Sequence, residues 1–212
     1  MIHVRGLTVS AGALLLVLQL QAQQVVSSNF CAKAIAELQK DEPLTNAIYL
    51  VELNGIRAGT NAWDSAAAKI VLALAQYDLY ESTVDITHLR ECSTLCTNVI
   101  AQTSLPERSW LKCVAVAIQV TTLACEEKFG SAYAACTNAL SRNLSSPTTP
   151  QEEQLWTTIV RRHAIDGLSV ADALNFYTAL SLLVQNPSAD VSPYTRSLPT
   201  NGLEKIRLLQ MR

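Results

Sequence analysis

The chain has 212 residues, 49% of them apolar and only 16% charged, with a formal net charge of −2. Such a sparsely charged, near-neutral chain lacks the basic excess that nucleic acid or an anionic membrane surface would call for. Ser, Thr, Asn and Gln must therefore supply much of the polar surface, and a weakly charged surface is less protected against association.

Residues 1–22 read as a secretory leader. Arg5 precedes an apolar run from Leu7 to Leu20, and Ala22 is the small residue at which such leaders are cut. The run falls short of the roughly 20 apolar residues that span a bilayer. The longest later apolar run, Cys113 to Ile118, is far shorter, so no transmembrane segment is expected. Removing the leader takes away one cation, Arg5, so the charge moves from −2 to −3 and 190 of the 212 residues remain. That length is enough for a real core.

The mature chain carries a helical period throughout, and the expected fold is all-α: a disulfide-stapled bundle of about seven to eight helices with a C-terminal helical extension. Cys31, Ile35 and Leu38 mark a first helix, and Leu44, Ala47, Ile48 and Val51 a second, stopped by Gly55. Trp63, Ala67, Ile70, Leu74 and Tyr77 continue the spacing in a third. Leu89, Cys92, Cys96 and Val99 form the stripe of a fourth. Ser104-Leu105-Pro106-Glu107 reads as a capping box opening a fifth helix. From Trp110 to Leu123 that helix is apolar nearly all round, the mark of a central helix covered by the others. Gly130 is expected to break it, with a short helix from Ser131 to about Leu144.

Residues 145–150, Ser-Ser-Pro-Thr-Thr-Pro, have the composition of a linker. They divide a stapled subdomain, 23–144, from an unstapled helical one, 151–212. In the latter, Thr149-Pro150-Gln151-Glu152 is a second capping box, and Ser169 with Asp172 caps a helix that ends at Asn186-Pro187. A last short helix starts near Gly202.

All six cysteines, Cys31, Cys92, Cys96, Cys113, Cys125 and Cys136, lie in the mature chain, and an even count behind a leader reads as three bridges. Two antiparallel helices place residues level when they lie equally far from the turn. With turns centred at 104–105 and 130–131, this register pairs Cys96 with Cys113 and Cys125 with Cys136. Cys113 and Cys125 are about 18 Å apart along one helix, beyond disulfide reach, which leaves Cys31 for Cys92. Asn143-Leu144-Ser145 is a glycosylation sequon.

Chemistry-bearing motifs are sparse. Asp85, His88 and Cys92 share one helix face, but they offer too few ligands for a zinc site. His163 follows Arg161-Arg162, a pair read as a solvated patch near a helix C-terminus rather than a processing site. There is no Gly-x-Ser-x-Gly, no His-Glu-x-x-His and no Gly-rich phosphate loop, so no catalytic, cofactor-binding or metal-binding residue is assigned. Cys92-x3-Cys96 shares one spacing with insect odorant-binding proteins, while the long gap from Cys31 to Cys92 departs from them. In low charge, Ala-rich helices and a leader, the chain resembles insect silk light-chain subunits by composition alone.

The functional expectation is a secreted, extracellular, non-enzymatic protein acting by self-association or by binding another extracellular protein, or as a structural component. The alternative is a carrier holding a small apolar ligand between helices, which calls for an internal cavity of roughly 300 Å3 or more.

Overall fold

A computed structural model describes residues 62–142 and 168–200, with 146–147, 150, 152–153, 155, 202–204 and 206. The leader, Cys31, the first two expected helices, Asn143 and Arg161 to His163 lie outside the described residues. Every regular element among the described residues is helical: α1 (Ala62–Thr83), α2 (Ile86–Ile100), α3 (Trp110–Cys125), α4 (Phe129–Leu140), α5 (Val170–Gln185) and the single-turn α6 (Ser192–Thr195). None of these helices is long and apolar enough to cross a membrane.

Helix α1 is Ala-rich, and Ala is the best helix former. Its buried residues run all the way round, from Ser65 through Ala66–Ala68 and Ile70–Ala75 to Tyr77 and Asp78. Small side chains let α2 and α3 approach it closely. At its end the Val84 amide bonds to the Tyr80 carbonyl at 2.7 Å, and Val84 adopts φ 56°. That is the left-handed position just past a helix, where Gly is usual.

Asp85 then caps α2, its carboxylate accepting from the Thr87 amide at 2.9 Å. This backbone bond and the Thr87 hydroxyl hold the Asp85 carboxyl below its usual range. Helix α2 buries Leu89, Cys92, Leu95, Cys96 and Val99 and exposes Arg90, Thr94, Thr97 and Asn98, the one-sided pattern that a 3.6-residue period demands.

The start and end of α3 differ from the sequence expectation. Ser109, not Ser104, is its N-cap, and Ser104 accepts a hydrogen bond from Gln102 instead. Glu107, the expected partner in the capping box, turns away to bind two cations. The helix does not stop at Gly130. It ends at Cys125, where Glu127 takes φ 59° and the Lys128 amide bonds back to the Leu123 carbonyl at 2.8 Å. Gly130 lies inside the first turn of α4, close to the Gln185 side chain of α5.

Successive helices are antiparallel neighbours, and α3 lies at the centre, packed against α1, α2, α4 and α5. Its buried residues run from Trp110 to Ile118 and from Val120 to Thr122, as a helix without a polar face requires. Helix α5 begins as its sequence indicates: the Ser169 hydroxyl accepts from the Asp172 amide at 3.1 Å and donates to the Asp172 carboxylate at 2.8 Å. One continuous apolar core includes Leu155, Leu168, Leu174 and Ile206 together with α1–α4. Trp63 of α1 donates to Glu152 beyond the linker at 3.2 Å.

The expected staples are corrected. Cys92, Cys96, Cys113, Cys125 and Cys136 are all free thiols, so neither Cys96–Cys113 nor Cys125–Cys136 is formed; the expected partner of Cys92, Cys31, lies outside the described residues. For Cys125 and Cys136 the cause is the misplaced turn. The turn centres on Glu127, which puts Cys125 two positions before it and Cys136 nine after it. Cys96 and Cys113 face different neighbours. Cys96 hydrogen-bonds to Cys92 within α2, whereas Cys113 looks toward Ala139 and Arg142 of α4.

Candidate functional site

Three features qualify as candidate sites: the thiols, the exposed apolar side chains at one end of the bundle, and a cleft at the opposite end.

The buried thiols are chemically quiet. Cys92 and Cys96 are fully buried, and the Cys92 thiol is pushed up by its hydrogen bond with Cys96 and by burial. Burial also lifts Cys113 to about 11 and Cys136 to about 12, the latter against an opposing hydrogen bond with Thr178. Nucleophilic cysteines need lowered pKa values and access; Cys92, Cys113 and Cys136 are shifted the other way, and all four thiols are buried. Among the described cysteines Cys125 is the exposed one, 3.7 Å from the Tyr77 hydroxyl. A short iodoacetamide pulse on the native protein should therefore alkylate Cys125 first and leave Cys92, Cys96, Cys113 and Cys136 protected until denaturation, as read by peptide mass spectrometry. Simultaneous labelling of all five would contradict this burial.

The residues considered for zinc are each engaged elsewhere. Asp85 caps α2, and His88 Nδ1 lies 2.7 Å from Gln76 Oε1 of α1. Among the described residues, no group of three His, Cys, Asp or Glu side chains is arranged to hold a metal.

At the end of the bundle where α1 meets α2, Val84 is 75% exposed and Ile86 40% exposed. Residues 81–87 are exposed throughout. The C-terminal end of α5 reaches the same end of the bundle, since Gln185 meets Gly130 at the start of α4, and Val184 there is 46% exposed. These three are the exposed large apolar side chains among the described residues. Val84 is also strained: a left-handed β-branched residue costs about 1–2 kcal/mol, because Cβ crowds its own carbonyl. A shallow trough of about 410 Å3 along α2 is polar and open, lined by Arg90, Thr94 and Asn98 with Glu126 and Lys128.

At the opposite end lies a smaller, more enclosed cleft of about 120 Å3. Its apolar lining is Ile100, Val116, Ala135 and Ala139, beside Cys113. Its polar lining holds Lys112, whose Nζ lies 3.2 Å from Glu107 Oε2, and Arg142, whose guanidinium pairs with Glu107 Oε1. The Lys112 hydrogen bond, then the Arg142 charge, holds the Glu107 carboxyl below its usual range. Sequence reading missed this triad. Its spacing from Ser104 makes Glu107 look like a cap residue, and Arg142 lies far along the chain.

No protein family, curated protein or solved structure matches this chain. Its described part is a helical bundle with Val84 and Ile86 exposed at one end and a cleft lined by Lys112 and Arg142 at the other.

Proposed function

We propose that this is a secreted, non-enzymatic helical protein that works through its surface, by self-association or by binding another extracellular protein. Val84 carries the reading. A branched apolar side chain is held out in solvent at a position that favours Gly or Asn, with Ile86 beside it and Val184 at the same end. Backbone strain of this kind concentrates at functional positions. The low charge fraction, 16%, adds little repulsion against association.

Export by the leader at 1–22 and a glycan on Asn143 belong to the same reading. Cys92, Cys96, Cys113 and Cys136 are compatible with export as free thiols, since exchange proceeds through an accessible thiolate and burial removes access; Cys125 is the exposed exception.

Val84→Asn separates function from folding. Asn accepts the left-handed conformation, so stability should rise by about 1 kcal/mol as strain is relieved. Association should weaken, because the apolar tip becomes polar. Sedimentation velocity over a concentration series, with a denaturant melt alongside, reads both. An association constant unchanged by Val84→Asn removes this face from the proposal.

The carrier alternative is favoured by one observation, the cleft at the Lys112 end. Its volume is below the roughly 300 Å3 typical of sites for larger ligands.

A further inference from the structure

The cleft at the Lys112 end gathers more positive charge than its own side chains neutralise. Lys112 is buried, its side chain 6% exposed, and it sits in the first turn of α3. A helix N-terminus disfavours a cation and favours an anion. Arg142 adds a second cation, and Glu107 is the one acid among the lining residues. Glu107 belongs to the loop before α3 and is 66% exposed, so little but the two cations holds its carboxylate in place. That carboxylate also shows what the seat accepts: a planar anion with one oxygen on the ammonium and the other on the guanidinium. The same cleft is lined by the apolar Val116, Ala135 and Ala139. A space of about 120 Å3 equals about four waters at about 30 Å3 each. It suits a short aliphatic tail.

We infer that this cleft binds a short-chain aliphatic monocarboxylate, its tail against Val116, Ala135 and Ala139 and its carboxylate on Lys112 and Arg142 in place of that of Glu107. Binding displaces Glu107 into solvent, so ligand and side chain compete for one seat. The inference is independent of the surface reading, since the cleft and Val84 lie at opposite ends of the bundle.

The test is a titration of the full chain with sodium butyrate, followed by 1H–15N correlation spectra, with butan-1-ol as the neutral control at matched ionic strength. Saturable shifts are expected at Cys113, Val116 and Ala139, with millimolar affinity as befits so small a ligand. Butanol should bind at least about tenfold more weakly, since it lacks the charge that Lys112 and Arg142 recognise. Glu107→Gln removes the internal competitor and should tighten butyrate binding several-fold, whereas Arg142→Gln should weaken it several-fold. Equal binding of butanol and butyrate, or no saturable shift with butyrate, overturns the inference. So does a Glu107→Gln protein that binds no tighter. Should Glu107→Gln fail to fold, Arg142→Gln decides alone, and an unchanged butyrate affinity overturns the inference.

Discussion

Ile70→Ala is expected to cost about 2–5 kcal/mol, among the largest effects of any single truncation in this bundle. Ile70 is fully buried in the middle of α1, a helix enclosed on all sides. The loss combines the transfer energy of the removed carbons with a cavity that close-packed neighbours cannot fill. In a chain of this size each 1 kcal/mol moves the melting temperature by about 2–4 °C, so a drop of roughly 7–14 °C is expected for a mid-range loss. The Ala positions beside Ile70 should fail in the opposite sense. Ala73 is fully buried, and Ala73→Leu must push a branched side chain into space already occupied, at about 1–3 kcal/mol. Val184→Ala, on a half-exposed residue, should stay within about 0.5 kcal/mol. Chemical denaturation of the three variants checks the order. An Ile70→Ala protein as stable as Val184→Ala would mean that α1 is not enclosed.

Alkaline pH should destabilise the fold steeply, and the buried thiols supply the reason. Their ordinary pKa is 9.0, and in the fold Cys113 is raised to about 11 and Cys136 to about 12. Below pH 9 both folded and unfolded chains hold these protons, and the contribution to stability is complete. As pH rises past 9, the unfolded chain releases its protons first. Stability then falls until the folded values are passed, near pH 11–12. One pH unit of such a difference is worth about 1.4 kcal/mol per group, so Cys113 and Cys136 together should cost about 4 kcal/mol between pH 8 and pH 10.5. Cys92, raised by its bond with Cys96 and by burial, acts in the same sense, as do Tyr77 and Tyr177, raised by burial. Urea midpoints measured from pH 8 to 10.5 should fall continuously, and Cys136→Ala should flatten the slope even if it lowers stability at pH 8. A midpoint flat across that range would show that the thiols reach water in the native state.

What the sequence determined by itself was local. The apolar stripe Leu89, Cys92, Cys96, Val99 became the buried face of α2, and the all-round apolar run from Trp110 became the central helix. Ser169 with Asp172 became the cap of α5. Each signal acts within one or two turns of helix, where the 3.6-residue period and the unpaired amides at a helix start leave few choices. The ends of α1 and α3 were harder to read, because Val84 and Glu127 take the left-handed position that composition assigns to Gly. Packing of the flanking helices imposes that conformation against local preference.

The thiols and the candidate sites depended on tertiary structure alone. Distance from a turn gives the level of a cysteine along a helix but not the direction in which it points. Rotation of each helix about its axis decides that, and here it sends Cys96 toward Cys92 and Cys113 toward α4. The joining of Lys112, Glu107 and Arg142 has the same origin. The Lys112–Glu107 pair is close in the chain, but only the return of α4 along α3 brings Arg142 to the same carboxylate. Charge and apolar spacing along a chain record which side chains seek burial or a partner. Which partner they meet is set by how the helices rotate to fill the core.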